Sequence, residues 1–138
     1  MTVEETVKLF NVIKLTYPKF CDRFTAEQKK AKVSHWQMTF ADISLAVMQM
    51  AFEIHRRRVP FEPSDAEMFK ALSELNGIAY EDFVRAKFDG DRDVAEKALL
   101  LMDQTERFKD MTREVRISYE SFTPEMIGSG VMRKKLEG

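Results

Sequence analysis

Apolar residues recur at intervals of three and four along nearly the whole chain, the spacing of an amphipathic helix. Thr2 and Glu5 form a capping box, and Val3, Val7, Leu9, Phe10 and Ile13 make the first stripe. This helix is predicted to run to about Thr16 and to end at Tyr17-Pro18, followed by an aromatic connector over 19–24. Thr25 with Gln28 opens a second helix that carries Val33, Trp36 and Phe40 on one face. Asp42 is the predicted N-cap of a third, with Ile43, Ala46, Val47, Met50, Ala51 and Ile54 inward. It ends in His55-Arg56-Arg57-Arg58, where positive charge complements the helix dipole.

The sharpest break lies over residues 59–67. Pro60 and Pro63 lack backbone donors and push the residue before each out of the α region, so the third helix must stop near Arg58. Phe61, between them, is expected to plug the core between the flanking helices. Ser64 stands three residues ahead of Glu67 and starts a fourth helix from Asp65 to about Leu75, with Met68, Leu72 and Leu75 inward. Asn76-Gly77 is the predicted stop. A short helix follows over 79–88, with Tyr80, Phe83, Val84 and Phe88, and then a turn over 89–93. Asp93 and Glu96 are placed to cap the next helix, which holds Val94, Ala98, Leu99, Leu101 and Met102. Thr112 is placed to cap a last one with Val115, Tyr119 and Phe122 on its face, before a break at Thr123-Pro124-Glu125. From Gly128 the chain reads as a flexible basic tail.

No stretch alternates like a strand. The expected fold is all-α, a compact bundle of about six to seven short helices. Its expected parts are a four-helix N-terminal domain over 1–76, a helical region over 77–127 packed on or appended to it, and a tail over 128–138.

Composition narrows the class without changing the fold. A chain of 138 residues buries roughly two-thirds of its unfolded surface and needs no metal or disulfide to fold. Nine Met and eleven Phe provide large, adaptable core side chains. Net charge is −1, so no global field favours nucleic acid or an anionic membrane. The single cysteine, Cys21, leaves no internal disulfide and fits a reducing cytoplasm. The N-terminus carries no signal-peptide pattern, and no apolar run approaches the ~20 residues that span a bilayer.

The search for chemistry returns little. Gly128-Ser-Gly-Val-Met-Arg-Lys-Lys135 has the wrong spacing for a P-loop and follows no strand. Asp89, Asp91 and Asp93 begin like a calcium loop, but Val94 and Leu100 stand where Gly and Glu are required. His35 and His55 show no metal-ligand spacing; the first reads as a boundary residue, the second as part of the helix-end cation cluster. Cys21 lacks a local activator and reads as a half-buried small hydrophobe. The chain is therefore expected to be non-enzymatic, with no metal and no cofactor. The candidate partner-binding residues are two basic clusters, Arg56, Arg57 and Arg58, and Arg133, Lys134 and Lys135. Their plainer reading is a dipole-stabilising helix end and a solvated tail. Residues 81–96, with six acidic and three basic side chains, form a second candidate surface.

Three segments in order carry a resemblance. They are Glu5-x-Val7-Lys-Leu9-x-x-x-Ile13-Lys-x-x-Tyr17-Pro18-x-Phe20, then Trp36-x-x-x-Phe40, then Phe61-x-Pro63-Ser64-x-Ala66-Glu67. The set resembles the helicase loader/inhibitor family of phages infecting Gram-positive bacteria, over about residues 4–70. The resemblance implies a small helical N-terminal domain in a DNA-replication protein that is not an ATPase. Such a protein binds a hexameric replicative helicase, restrains it and delivers it to a phage initiator. The resemblance also implies structural roles for Tyr17, Pro18, Phe20, Trp36, Phe40, Phe61, Pro63, Ser64 and Glu67. The alternatives are an adaptor that inhibits another host enzyme, such as a defence nuclease, and a helix-turn-helix DNA binder built on helices two and three. Near-neutral charge makes any direct nucleic-acid contact weak.

Overall fold

The computed structural model describes residues 1–109. Local sequence chemistry accounts for most helix starts. Helix α1 (Val3–Thr16) opens on a complete capping box: the Glu5 amide donates to Thr2 Oγ1 at 3.1 Å and the Thr2 amide to Glu5 Oε1 at 2.9 Å. Helix α2 (Ala26–Thr39) repeats it with Thr25 and Gln28. Helix α3 (Leu45–Arg58) stops at Val59, as the following proline requires. Helix α4 (Asp65–Asp89) starts where Ser64 accepts from the Glu67 amide, and helix α5 (Arg92–Thr105) runs into a 3-10 turn, Glu106–Phe108. Among the described residues the fold is all helical, with five α-helices and no strand. Six helices were expected over these residues; the two expected over 65–75 and 79–88 are one, α4. The predicted helix after Thr112 and the basic tail lie outside the described residues.

The core is aromatic. Phe10 packs edge-on against both Phe20 and Trp36 at 5.2 Å, and Trp36 against Phe40 at 5.4 Å. These arrangements suit ring quadrupoles. Phe108 closes the core from the far end of the described chain. It is fully buried, near-parallel to Phe69 at 5.5 Å and tilted over Phe40 at 6.3 Å. Arg107 beside it lies over the Phe108 ring, donates to both carboxylate oxygens of Asp42 at 2.8 and 3.1 Å, and reaches the Thr39 carbonyl.

That clasp corrects one expectation: Asp42 does not cap α3. Ser44 does, accepting from the Val47 amide, while the Asp42 carboxylate is held by Arg107. Other inward faces also turned. In α1 the buried residues are Thr6, Leu9, Phe10 and Ile13, with Val3 and Val7 exposed. In α3 they are Val47, Met48, Ala51, Phe52 and His55, so Met50 and Ala46 face out. Each set has helical spacing, and the packing of α1 on α2 and α3, and of α3 on α1 and α4, decides between them. Helix α5 is capped by Asp91 rather than Asp93, and Ala95 and Ala98 are buried where Val94 and Leu99 are exposed.

The largest departure is α4. Asn76-Gly77 does not end it; the helix runs on to Asp89 and stops at Gly90, whose φ of +73° is the left-handed conformation glycine adopts without strain. Asn76 is buried and donates to the Met102 carbonyl at 3.3 Å and to Thr105 Oγ1 at 3.1 Å. An amide that would cap an isolated helix is used instead to tie α4 to α5. Packing of α5 along α4 offsets the ~1 kcal/mol that a helical glycine costs. Gly77 is exposed, and nothing lies within 4 Å of where a Cβ would stand. Gly77→Ala is therefore expected to stabilise the protein by about 0.5–1 kcal/mol. A denaturant titration that shows no rise in midpoint would refute this.

Candidate partner-binding site

The end of α3 carries a basic cluster, and the two proline-marked connections around it line a groove. Of the cluster Arg56-Arg57-Arg58, two guanidinium groups are engaged. Arg56 holds Glu53 through two contacts of 2.7 Å, and this hydrogen bonding keeps the Glu53 carboxyl below its ordinary range and raises the Arg56 guanidinium. Arg58 pairs with Glu74 and so ties the end of α3 to α4. Arg57 makes no ion pair with any described residue. Arg133, Lys134 and Lys135 lie outside the described residues.

His55 does not join that cluster. It is buried at 3% exposure and donates from Nε2 to the Phe61 carbonyl at 2.8 Å. Two residues earlier along the same loop, the Val59 carbonyl accepts from the Tyr17 hydroxyl at 2.7 Å. Burial raises the Tyr17 phenol, so it stays a donor. Tyr17 lies edge-on to both Phe52 and His55, which locks the two rings together. One loop is thus held at two carbonyls by two side chains anchored in the core.

The consequence is a second correction. Phe61 does not plug the core; it is 63% exposed. With its carbonyl fixed by His55, its ring is presented outward beside Pro60. Pro63 is buried and Pro18 exposed, while Phe20, Trp36 and Phe40 are core residues as expected. Phe61, Pro60, Phe24, Pro18 and Tyr17 line an open groove of about 890 Å³. Its charged rim is mixed, with Lys19 and Arg23 against Asp22 and Glu62.

Cys21 sits at the edge of this groove with φ +59°, an uncommon conformation for a non-glycine residue. Burial pushes its thiol up, away from the reactive thiolate. Among the described residues, no group of three or more His, Cys, Asp or Glu could hold a metal ion. His35 is exposed and meets Asp65 at 2.5 Å, joining α2 to the start of α4. What the site offers is shape, three aromatic rings and mixed charge, the attributes of a protein-contact surface. Tyr17–Val59 has no local signal, since it joins residues 42 apart.

The sequence model of one family, the N-terminal domain of a phage helicase loader/inhibitor, matches residues 1–76. The chain belongs to this family. It is a protein of the phage helicase loader/inhibitor type. Comparison with curated proteins and with solved structures found no match. The matched segment holds every motif residue from Tyr17 to Glu67, and its last residue, Asn76, lies in the middle of α4. Core residues also lie beyond the match: Phe108 is fully buried against Phe40 and Phe69. No helix among the described residues is long and apolar enough to cross a membrane.

Proposed function

We propose that this protein is a non-enzymatic DNA-replication factor of the bacterial host cytoplasm. It binds a hexameric replicative helicase, restrains it and hands it to a phage initiator. The family match over residues 1–76 carries this reading. In the proposed division of labour, the region beyond residue 76 and its basic end, with Arg133, Lys134 and Lys135, meet the helicase. The N-terminal domain meets the initiator through the loop that presents Phe61, together with Arg57 in the last turn of α3. Two features support that second assignment: an ordered aromatic anchor with most of its surface exposed, and a backbone held in place before any partner arrives. Both reduce the ordering cost of binding. The engaged state of Arg56 and Arg58 argues against a DNA-phosphate surface at this helix end.

Size-exclusion light scattering of the chain with the host's replicative helicase and ATP tests the proposal. The expected result is a large complex with full-length protein that is lost when the chain ends at Ile127. Absence of any complex, with or without nucleotide, would overturn the helicase reading.

A further inference from the structure

Val3, Val7, Phe10 and Lys14 follow one another along α1 at intervals of three and four, so they share one face. Lys29, Lys30 and Val33 of α2 join them in lining a groove of about 550 Å³ between the two helices. Its floor is apolar, and Val3 and Val7 on it are exposed. The charged residues that line it, Lys14, Lys29 and Lys30, are all cations. None of the three makes an ion pair with a described residue. The carboxylates of the two helices, on Glu4, Glu5 and Glu27, do not line the groove, and Glu5 is held in the capping box with Thr2.

This groove adjoins the one beside Phe61. Cys21 lines both. Phe20 belongs to the first and Phe24 to the second, and the Lys32 ammonium lies over both rings, 4.7 Å from the Phe20 centroid and 5.3 Å from that of Phe24. Charge changes along the joined surface: the carboxylates that line it, on Asp22 and Glu62, stand only at the Phe61 end. A partner that follows it meets mixed charge around Phe61 and cations alone along α1 and α2. A nucleic acid is matched by cations that track its phosphates. Here the cations border an apolar floor, which a phosphate backbone would leave uncovered.

We infer that the initiator segment seated beside Phe61 continues into the α1–α2 groove as an acidic amphipathic helix. Its apolar face covers Val3, Val7 and Phe10, and its carboxylates meet Lys14, Lys29 and Lys30. Burial of the floor supplies the attraction, while the cationic rim sets orientation and rejects basic segments. The α1 side of the groove, from Val3 to Lys14, is about 16 Å long at about 1.5 Å per residue, the length of three helical turns. The inference rests on the reading that gives the Phe61 loop to the initiator, and it adds the chemistry of the segment that binds there. It uses no residue of the region given to the helicase.

Calorimetric titration of the full 138-residue chain with the phage initiator, at about 50 and about 500 mM salt, tests it. K14E/K29E/K30E is expected to weaken binding by at least about tenfold at low salt and by less at high salt. V7S removes part of the floor without touching charge, and it should weaken binding by about fivefold at both salt concentrations. All four replaced side chains are exposed, so circular dichroism and melting should be unchanged. Lost affinity in F61A with none lost in either groove variant would overturn this inference and leave the Phe61 reading standing. Unchanged affinity in all three variants, or no binding by the unaltered chain, would overturn both. Loss in the lysine variant with none in V7S would reduce the contact to long-range charge and overturn the seated helix. Binding of a duplex DNA by the unaltered chain that the lysine variant abolishes would give the groove to nucleic acid and overturn it as well.

Discussion

A chain cut after residue 76, where the family match ends, is expected to lose its cooperative unfolding transition, while one ending at Lys109 keeps it. The cut falls inside α4 and removes the amides and carbonyls that continue the helix there. It takes away Met102 and Thr105, leaving the buried Asn76 amide without its acceptors. It also removes Phe108 from between Phe40 and Phe69, and Arg107 from Asp42 and the Thr39 carbonyl. Phe108→Ala alone isolates one of these losses. Emptying a fully buried aromatic site is expected to cost about 3–5 kcal/mol, a large fraction of the roughly 5–15 kcal/mol that holds a domain folded. Urea unfolding followed by circular dichroism measures both. A 1–76 fragment with a sharp transition like that of the longer chain would show that α5 is an appendage and not part of the folding unit.

Phe61→Ala is expected to leave stability within about 0.5 kcal/mol, since the lost ring is mostly exposed. Affinity for the phage initiator should fall by about 2 kcal/mol, roughly 30-fold. Binding to the helicase should stay unchanged. The split follows from the architecture: the variant keeps the backbone carbonyl that His55 holds, so the loop retains its path and loses only its anchor. His55→Leu makes the complementary change. It keeps the ring and releases the loop, so it should weaken initiator binding less than Phe61→Ala while lowering stability. Calorimetric titration of each variant with the initiator measures this. Unchanged initiator affinity in Phe61→Ala would remove the loop from the binding surface.

Phe61 shows well what sequence reasoning could and could not see. The prolines flanking it set the end of α3 and the start of α4 correctly, because a missing N–H and a fixed φ act on the residue itself and its neighbours. Its burial was misjudged, because nothing within the loop says that Tyr17 and His55 hold the Val59 and Phe61 carbonyls from the inside. The family resemblance was legible through core residues such as Phe20, Trp36 and Phe40. Those residues define a fold and lie beneath the surface, so they carried no information about which exposed side chains meet a partner.

The sequence alone determined what depends on interactions within about four residues. It set the helical class, the capping boxes at Thr2 and Thr25, the start of α4 at Ser64 and the stop before Pro60. Tertiary structure decided everything that compares one distant neighbour with another. It selected which face of α3 turns inward, gave Asp42 to Arg107 instead of a helix cap, and carried α4 through Asn76-Gly77. The physical reason is competition. A buried amide or an exposed carboxylate can satisfy its hydrogen bonds in several ways, and the packing of α5 and its terminal turn on α4 determines which of them is used.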